Sequence, residues 1–174
     1  MKLPELILTD IDGVWTDGGM YYNEKTGDEW KKFNTYDSAG VLFCRLMKIP
    51  CGLITGESAK AVLRRGKKLK MDYIHIGVKN KVQVVQEIID VLQIEWSQVA
   101  YLGDDINDLG LFSKVGLSAC PYSAPSYIKD RVDWTLDSKG GEGVFREFVE
   151  RILTINKVDI VQLLKNERII DFDQ

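Results

Sequence analysis

The stretch LILTDIDGVWTDGG, Leu6–Gly19, decides how the rest of the chain is read. Leu6–Thr9 has the composition of a short buried strand, and it runs straight into two aspartates, Asp10 and Asp12, with Gly13 behind them. Residues two apart on an extended chain point the same way, so both carboxylates are expected to face one spot. Two like charges that close repel, and one is driven toward its neutral form, unless a cation stands between them. A hard divalent ion such as Mg²⁺ takes oxygen ligands, so the pair suits a metal site. Read alone, it suits an Asx turn built on Asp12-Gly13 equally well.

Working outward, short apolar runs alternate with amphipathic segments. Strands are expected at Pro50–Thr55, Tyr73–Ile76, Val99–Leu102 and Gly116–Ala119, with an edge strand at Trp134–Leu136. Helices are expected from Asp37, as N-cap, to Lys48, and over Ser58–Leu69, Asn80–Leu92, Ile106–Lys114, Gly143–Leu153 and Val158–Lys165. Met20–Phe33 carries aromatics on both sides of the turn-like NEKTGD and reads as a β-hairpin. Strand–helix alternation at this pace predicts an α/β fold, a Rossmann-like parallel sheet flanked by helices. Residues 1–174 show no repeat or linker and read as one domain with a hairpin flap at about residues 18–34.

Composition narrows the function. Hydrophobic residues make up 45% and charged residues 28%, and the net charge is −3, which gives no case for a nucleic-acid partner or an anionic membrane surface. No apolar run reaches the length of a membrane span, and MKLPELILTD does not read as a secretory signal. Cys44, Cys51 and Cys120 are odd in number and without a CxxC pattern, so buried thiols in a reducing, cytoplasmic setting are expected. The one histidine, His75, lies in the strand-like YIHIG and reads as a partly buried strand residue, which weakens any His-based triad.

In open parallel sheets ligands sit beyond the carboxyl ends of the strands, so chemistry is sought there. After the second strand come Thr55 and Gly56, a phosphate-binding corner if a helix starts there and a plain N-cap otherwise. After the third comes GVKNK, whose Lys81 opens a helix, either to neutralise a phosphate or as a solvated surface residue. After the fourth comes GDDIND, Gly103–Asp108, three acids in five residues; from Asp105 a calcium loop would need a ligand at Leu109 and a glutamate at Gly116, so a metal-supporting cluster of another kind is favoured.

The order DxD, Thr, Lys, GDDxxD resembles the haloacid dehalogenase superfamily of phosphatases, over nearly the whole chain. DIDGVWTDGG, FNTYDSAG (Phe33–Gly40), Thr55-Gly56, GVKNK, GDDINDLGLFSKVGLSAC and GGEGVFRE (Gly140–Glu147) are similar to the cap-less subgroup that acts on phosphates of 3-deoxy-2-ulosonic acids. The resemblance implies that Asp10 is the nucleophile and Asp12 the general acid and base. It implies that Thr55 and Lys81 hold the phosphoryl oxygens. Asp10, Asp104 and the backbone carbonyl of Asp12 would bind Mg²⁺, with Asp105 and Asp108 supporting either the metal shell or Lys81. Thr35, Gly56, Glu57, Arg65 and Lys68 are the expected substrate contacts. Eight-carbon octulosonate 8-phosphate enzymes carry arginine where this chain has Glu57, so the nine-carbon 2-keto-3-deoxynononate 9-phosphate is expected, with the eight-carbon ester as the alternative.

Only 42 residues separate Asp12 from Thr55 and 25 separate Thr55 from Lys81, too few for an inserted cap domain. The resemblance implies a homotetramer whose hairpins, with Tyr21, Tyr22, Trp30 and Phe33, form the central contact while a neighbour closes each site. The other reading of these aromatics is that they cover the domain's own core. Two alternatives to a dedicated sugar-acid phosphatase stay open. One is a broad small-ester phosphatase; the other is a non-catalytic tetramerising module like those fused to cytidylyltransferases.

Overall fold

The structure is a computed structural model and describes residues 2–166; Met1 and residues 167–174, the ends of the span expected to form one domain, lie outside them. Four of its strands, β1 (Leu6–Thr9), β4 (Cys51–Ile54), β6 (Val99–Leu102) and β7 (Leu117–Cys120), are buried at every position. That is the signature of a parallel sheet covered on both faces, where strands have no polar side to present. The edge strands β5 (Tyr73–His75) and β8 (Trp134–Thr135) are half-buried, as the reading of His75 expected.

The strands form one parallel sheet in the order β5-β4-β1-β6-β7-β8. Alternation along β1 divides its core. Ile7 packs with Leu53, Leu102, Val41 and Phe148 on one face. Leu6 and Leu8 pack with Ile54, Tyr101, Val85 and Ile88 on the other. Helices α1 (Asp37–Leu46), α2 (Lys60–Leu69) and α6 (Val144–Ile155) supply the first face, and α3 (Lys81–Leu92), α4 (Leu109–Phe112) and α5 (Ser126–Lys129) the second. A last helix, α7 (Ile160–Asn166), lays Ile160 and Leu164 on the first core. Among the described residues there is no separate cap. The hairpin β2 (Tyr21–Asn23) and β3 (Asp28–Trp30) stands apart from the main sheet as its own antiparallel pair.

Asp37 departs from the sequence expectation. Its side chain does not cap its own helix, which follows Tyr36 with no side-chain cap. It is buried, and its Oδ1 accepts hydrogen bonds from the backbone N–H groups of Phe145 and Arg146 in the first turn of α6. Gly143, at the N-cap of α6, has no side chain to do this itself. Gly40 allows the approach: a Cβ there would lie 2.8 Å from the Phe145 ring.

Candidate active site

Topology places the site. The chain lays β1 in the middle, builds outward through β4 to β5, then returns to the other side of β1 with β6, so the direction reverses around β1. Such a switch point opens a crevice beyond the strand ends. Asp10 follows β1, Thr55 follows β4 and Asp104 lies two residues after β6. They line a crevice of about 260 Å³ together with Asp12, Gly13, Gly18, Gly56, Glu57, Asp105 and Asn107. A larger cavity of about 370 Å³ lies at the opposite, amino-terminal ends of β1 and β6, around Pro4 and Ser97, and none of the unpaired buried polar atoms found among the described residues line it.

Each strand end is fixed by its neighbours. The Asp10 N–H donates to the Leu102 carbonyl at 2.8 Å, holding the end of β1 against β6. The chain then turns at Gly13, whose φ of +77° suits a residue without a Cβ. A Cβ there would also lie 1.9 Å from Asp104 Oδ2, so glycine is required twice. Thr55 is buried, with its Oγ1 accepting from the Glu57 N–H. It is not a helix cap, because α2 begins only at Lys60; the corner is a loop tied to the end of β5 through Val78 N–H to Thr55 O and Gly77 N–H to Glu57 O.

Lys81 opens α3 as expected, but its side chain is buried where a lysine at a helix start is ordinarily solvated. Its ammonium donates to Asp108 Oδ1 at 2.7 Å and lies 3.0 Å from Asp10 Oδ1, an ion pair out of line for a hydrogen bond. Burial works against the charge on Lys81, and the facing Asp10 and Asp108 outweigh it, holding its pKa above the ordinary value. Asp108 is fully engaged. Its Oδ1 also accepts from Tyr101 Oη–H at 2.6 Å, and its Oδ2 from the N–H groups of Asp104 and Asp105. Asp105 is exposed and serves as the N-cap of the 3₁₀ turn Ile106–Asp108.

Asp10, Asp104 and Asp108 each bring a carboxylate oxygen within 4.8 Å of the others. Burial pushes Asp10 up to about 7, with Asp108 adding to the rise and Lys81 opposing it. Burial pushes Asp104 up to about 8, reinforced by Asp10, Asp108 and Asp105. Asp104 Oδ1 is buried with no hydrogen-bond partner, and so is Asp10 Oδ1. Orphaned, mutually repelling oxygens of this kind fit a hard cation. Asp10 and Asp104 have oxygens to give; Asp108 has none left.

Asp12 points elsewhere. Its Oδ1 accepts from Lys31 Nζ at 2.6 Å and from Thr16 Oγ1 at 3.4 Å, while Oδ2 has no partner. Lys31 was not visible in the sequence as a site residue, since nothing local links it to Asp12. Three expected contacts lie outside the crevice of the single chain. Thr35 is exposed beyond the hairpin, and Lys68 is exposed on α2; neither lines the crevice. Arg65 is turned inward, donating to Asn34 O and Ser38 Oγ under the Phe33 ring. The other cations of that stretch, Lys60, Arg64, Lys67, Lys68 and Lys70, are exposed. Gly56 and Glu57 do line the crevice.

Comparison with known proteins follows the same lines. A family model described as haloacid dehalogenase-like hydrolase matches residues 57–148. The 3-deoxy-D-manno-octulosonate 8-phosphate phosphatase KdsC of Yersinia pestis is 33% identical over 148 residues, covering 85% of this chain and 79% of that one. The Moraxella catarrhalis 3-deoxy-D-manno-octulosonate 8-phosphate phosphatase, solved with a magnesium ion, a phosphate ion and KDO, superposes with a TM-score of 0.83. It is 32% identical and covers 87% of this chain and 86% of its own. The cobalt-bound deoxy-D-mannose-octulosonate 8-phosphate phosphatase of Haemophilus influenzae gives a TM-score of 0.85 at 29% identity, with 92% and 96% coverage.

Proposed function

The chain belongs to the haloacid dehalogenase-like hydrolases and is a phosphatase, and on that premise we propose that it hydrolyses the phosphate monoester of a 3-deoxy-2-ulosonic acid. One observation carries the reading: Asp10 stands at the switch point, 3.0 Å from the buried ammonium of Lys81 and within ligand distance of Asp104. Asp10 attacks phosphorus and the bond to the sugar oxygen breaks, giving an aspartyl-phosphate. Asp12 gives its proton to the departing oxygen, then takes one from the water that attacks the aspartyl-phosphate. Lys81 and Thr55 face the phosphoryl oxygens, where their donors meet the charge of the transition state. Asp108 and Tyr101 hold Lys81 in place. Asp10, Asp104 and the Asp12 carbonyl would hold Mg²⁺, which supplies charge neutralisation so that an anionic nucleophile can approach an anionic ester.

Gly56 and Glu57 on the crevice rim are assigned to the sugar acid. Glu57 is the basis for preferring the nine-carbon 2-keto-3-deoxynononate 9-phosphate, as an acceptor for its hydroxyls. The names of the relatives favour a second reading, the eight-carbon 3-deoxy-octulosonate 8-phosphate. We further assign the exposed hairpin aromatics to a homotetramer contact and the enzyme to the cytoplasm. No helix among the described residues is long and apolar enough to cross a membrane, and the three cysteines are free and buried.

The test is phosphate release from the nine-carbon ester, the eight-carbon ester and p-nitrophenyl phosphate, with Mg²⁺ or EDTA and with Asp10→Asn as control. Metal-dependent turnover preferring the nine-carbon ester is expected. Preference for the eight-carbon ester keeps the mechanism and removes the role given to Glu57. No turnover by folded, Mg²⁺-loaded protein moves the assignment to a tetramerising scaffold.

A further inference from the structure

General acid catalysis needs its proton at a fixed place, and the turn that carries Asp12 does little to fix it, since its one side-chain donor, Thr16 Oγ1, stands 3.4 Å away. The tight contact comes from the hairpin. Lys31, the residue after β3, donates to Asp12 Oδ1 at 2.6 Å, and its ammonium lies 3.0 Å from Glu29 Oε1. Glu29 and Lys31 are two apart on an extended segment and share a face, the one opposite the cross-strand pair Tyr21 and Trp30. The Lys31 side chain is 0% exposed, although it lies near the molecular surface. Covering an ammonium and holding a long side chain in one rotamer are both costly, so a hairpin that needed only to cover the turn gains nothing from a lysine here.

We propose that Lys31 is a positioning residue for Asp12. It ties down Oδ1 and leaves Oδ2, which has no hydrogen-bond partner, as the single oxygen through which the proton passes. Glu29 shares the ammonium, so the lysine is itself held from a second side while it orients the Asp12 carboxyl. In the step concerned, the phosphorus–oxygen bond breaks, the electron pair stays on the sugar oxygen, and the Oδ2 proton moves to it. The inference rests on Asp12 being the general acid.

The test exploits the leaving group. The ratio kcat/KM covers steps only up to release of the alcohol, so later use of Asp12 as a base does not enter it. A sugar alkoxide needs a proton to depart; p-nitrophenolate does not. The quantity read is kcat/KM for whichever of the nine-carbon and eight-carbon sugar-acid esters turns over faster, divided by that for p-nitrophenyl phosphate. Lys31→Met is expected to lower this ratio by about 10- to 100-fold, the scale of a misplaced acid. Lys31→Gln, which keeps an N–H donor, is expected to recover part of it, and stands in if the methionine variant does not fold. An equal fall for both esters, or an unchanged ratio, overturns the assignment. Asp12→Ala is measured in parallel. If it lowers the ratio and the Lys31 variants do not, only Lys31 loses its role. If Asp12→Ala leaves the ratio unchanged, the reading of Asp12 fails as well.

Discussion

Asp10 and Asp104 stand close to Asp108 in a buried crevice, and burial is the largest influence on both, raising them to about 7 and about 8 from an ordinary 3.8. The native state therefore holds protons on these groups more tightly than the unfolded chain does. Stability falls as pH rises from about 4 through 8, and the penalty is complete above the higher value. A cation bound between the carboxylates takes the place of those protons. The rise in melting temperature on adding Mg²⁺ is thus expected to be larger at about pH 8.5 than at about pH 5.5, read by thermal unfolding in each buffer. Gly13→Ala should abolish that rise, because its Cβ would overlap Asp104 Oδ2. An Mg²⁺ effect independent of pH, or kept by Gly13→Ala, contradicts the metal site. The acids and Lys81 were legible in the sequence because each follows a strand whose end local pattern reveals. Lys31 was not, because its bond to Asp12 spans 19 residues between two irregular segments, which no periodicity records.

At the scale of elements, α1 and α6 pack in one core, and one side chain hydrogen-bonds α1 to the first turn of α6. Asp37 Oδ1 takes the N–H groups of Phe145 and Arg146, and burial, opposed by those two bonds, raises the carboxyl to about 6. Asp37→Ala would leave two N–H groups of the first turn without an acceptor, a cost of about 1–2 kcal/mol, on the scale of a lost N-cap. For a chain of this size that lowers the melting temperature by roughly 2–8 °C. Asp37→Asn keeps a neutral acceptor and removes the buried charge, so it should lose less than half as much. Equal losses would show that the hydrogen bonds are not what joins the helices. The sheet strands and most helices were readable from apolar runs and 3.6-residue spacing. Asp37 was misread because an acid before an apolar-periodic segment looks like its own cap, whereas its partners lie 108 and 109 residues further on. The short helix Ser126–Lys129 was not anticipated; one turn carries too little periodicity to see.

At the scale of the molecule, the hairpin presents Met20, Tyr21, Tyr22 and Trp30 to solvent, with Tyr22 67% and Trp30 60% exposed. Phe33 differs, packing against the core. Large exposed aromatics gathered on one protruding element mark an interaction surface. Sedimentation should find a tetramer in the natural chain and smaller species in Tyr22→Glu with Trp30→Glu, with the crevice still responding to Mg²⁺. A monomeric natural chain would remove the tetramer. The account as a whole turns on phosphoryl transfer to Asp10. It is tested most directly by acid-quenching p-nitrophenyl phosphate turnover within the first cycles and weighing the peptide that carries Asp10, in the natural enzyme and in Asp12→Asn. The expected result is a peptide heavier by one phosphoryl group, transient in the natural enzyme and accumulating in Asp12→Asn, where no base activates the water. Phosphate release with that peptide never modified, or with the phosphoryl group on another residue, would contradict it.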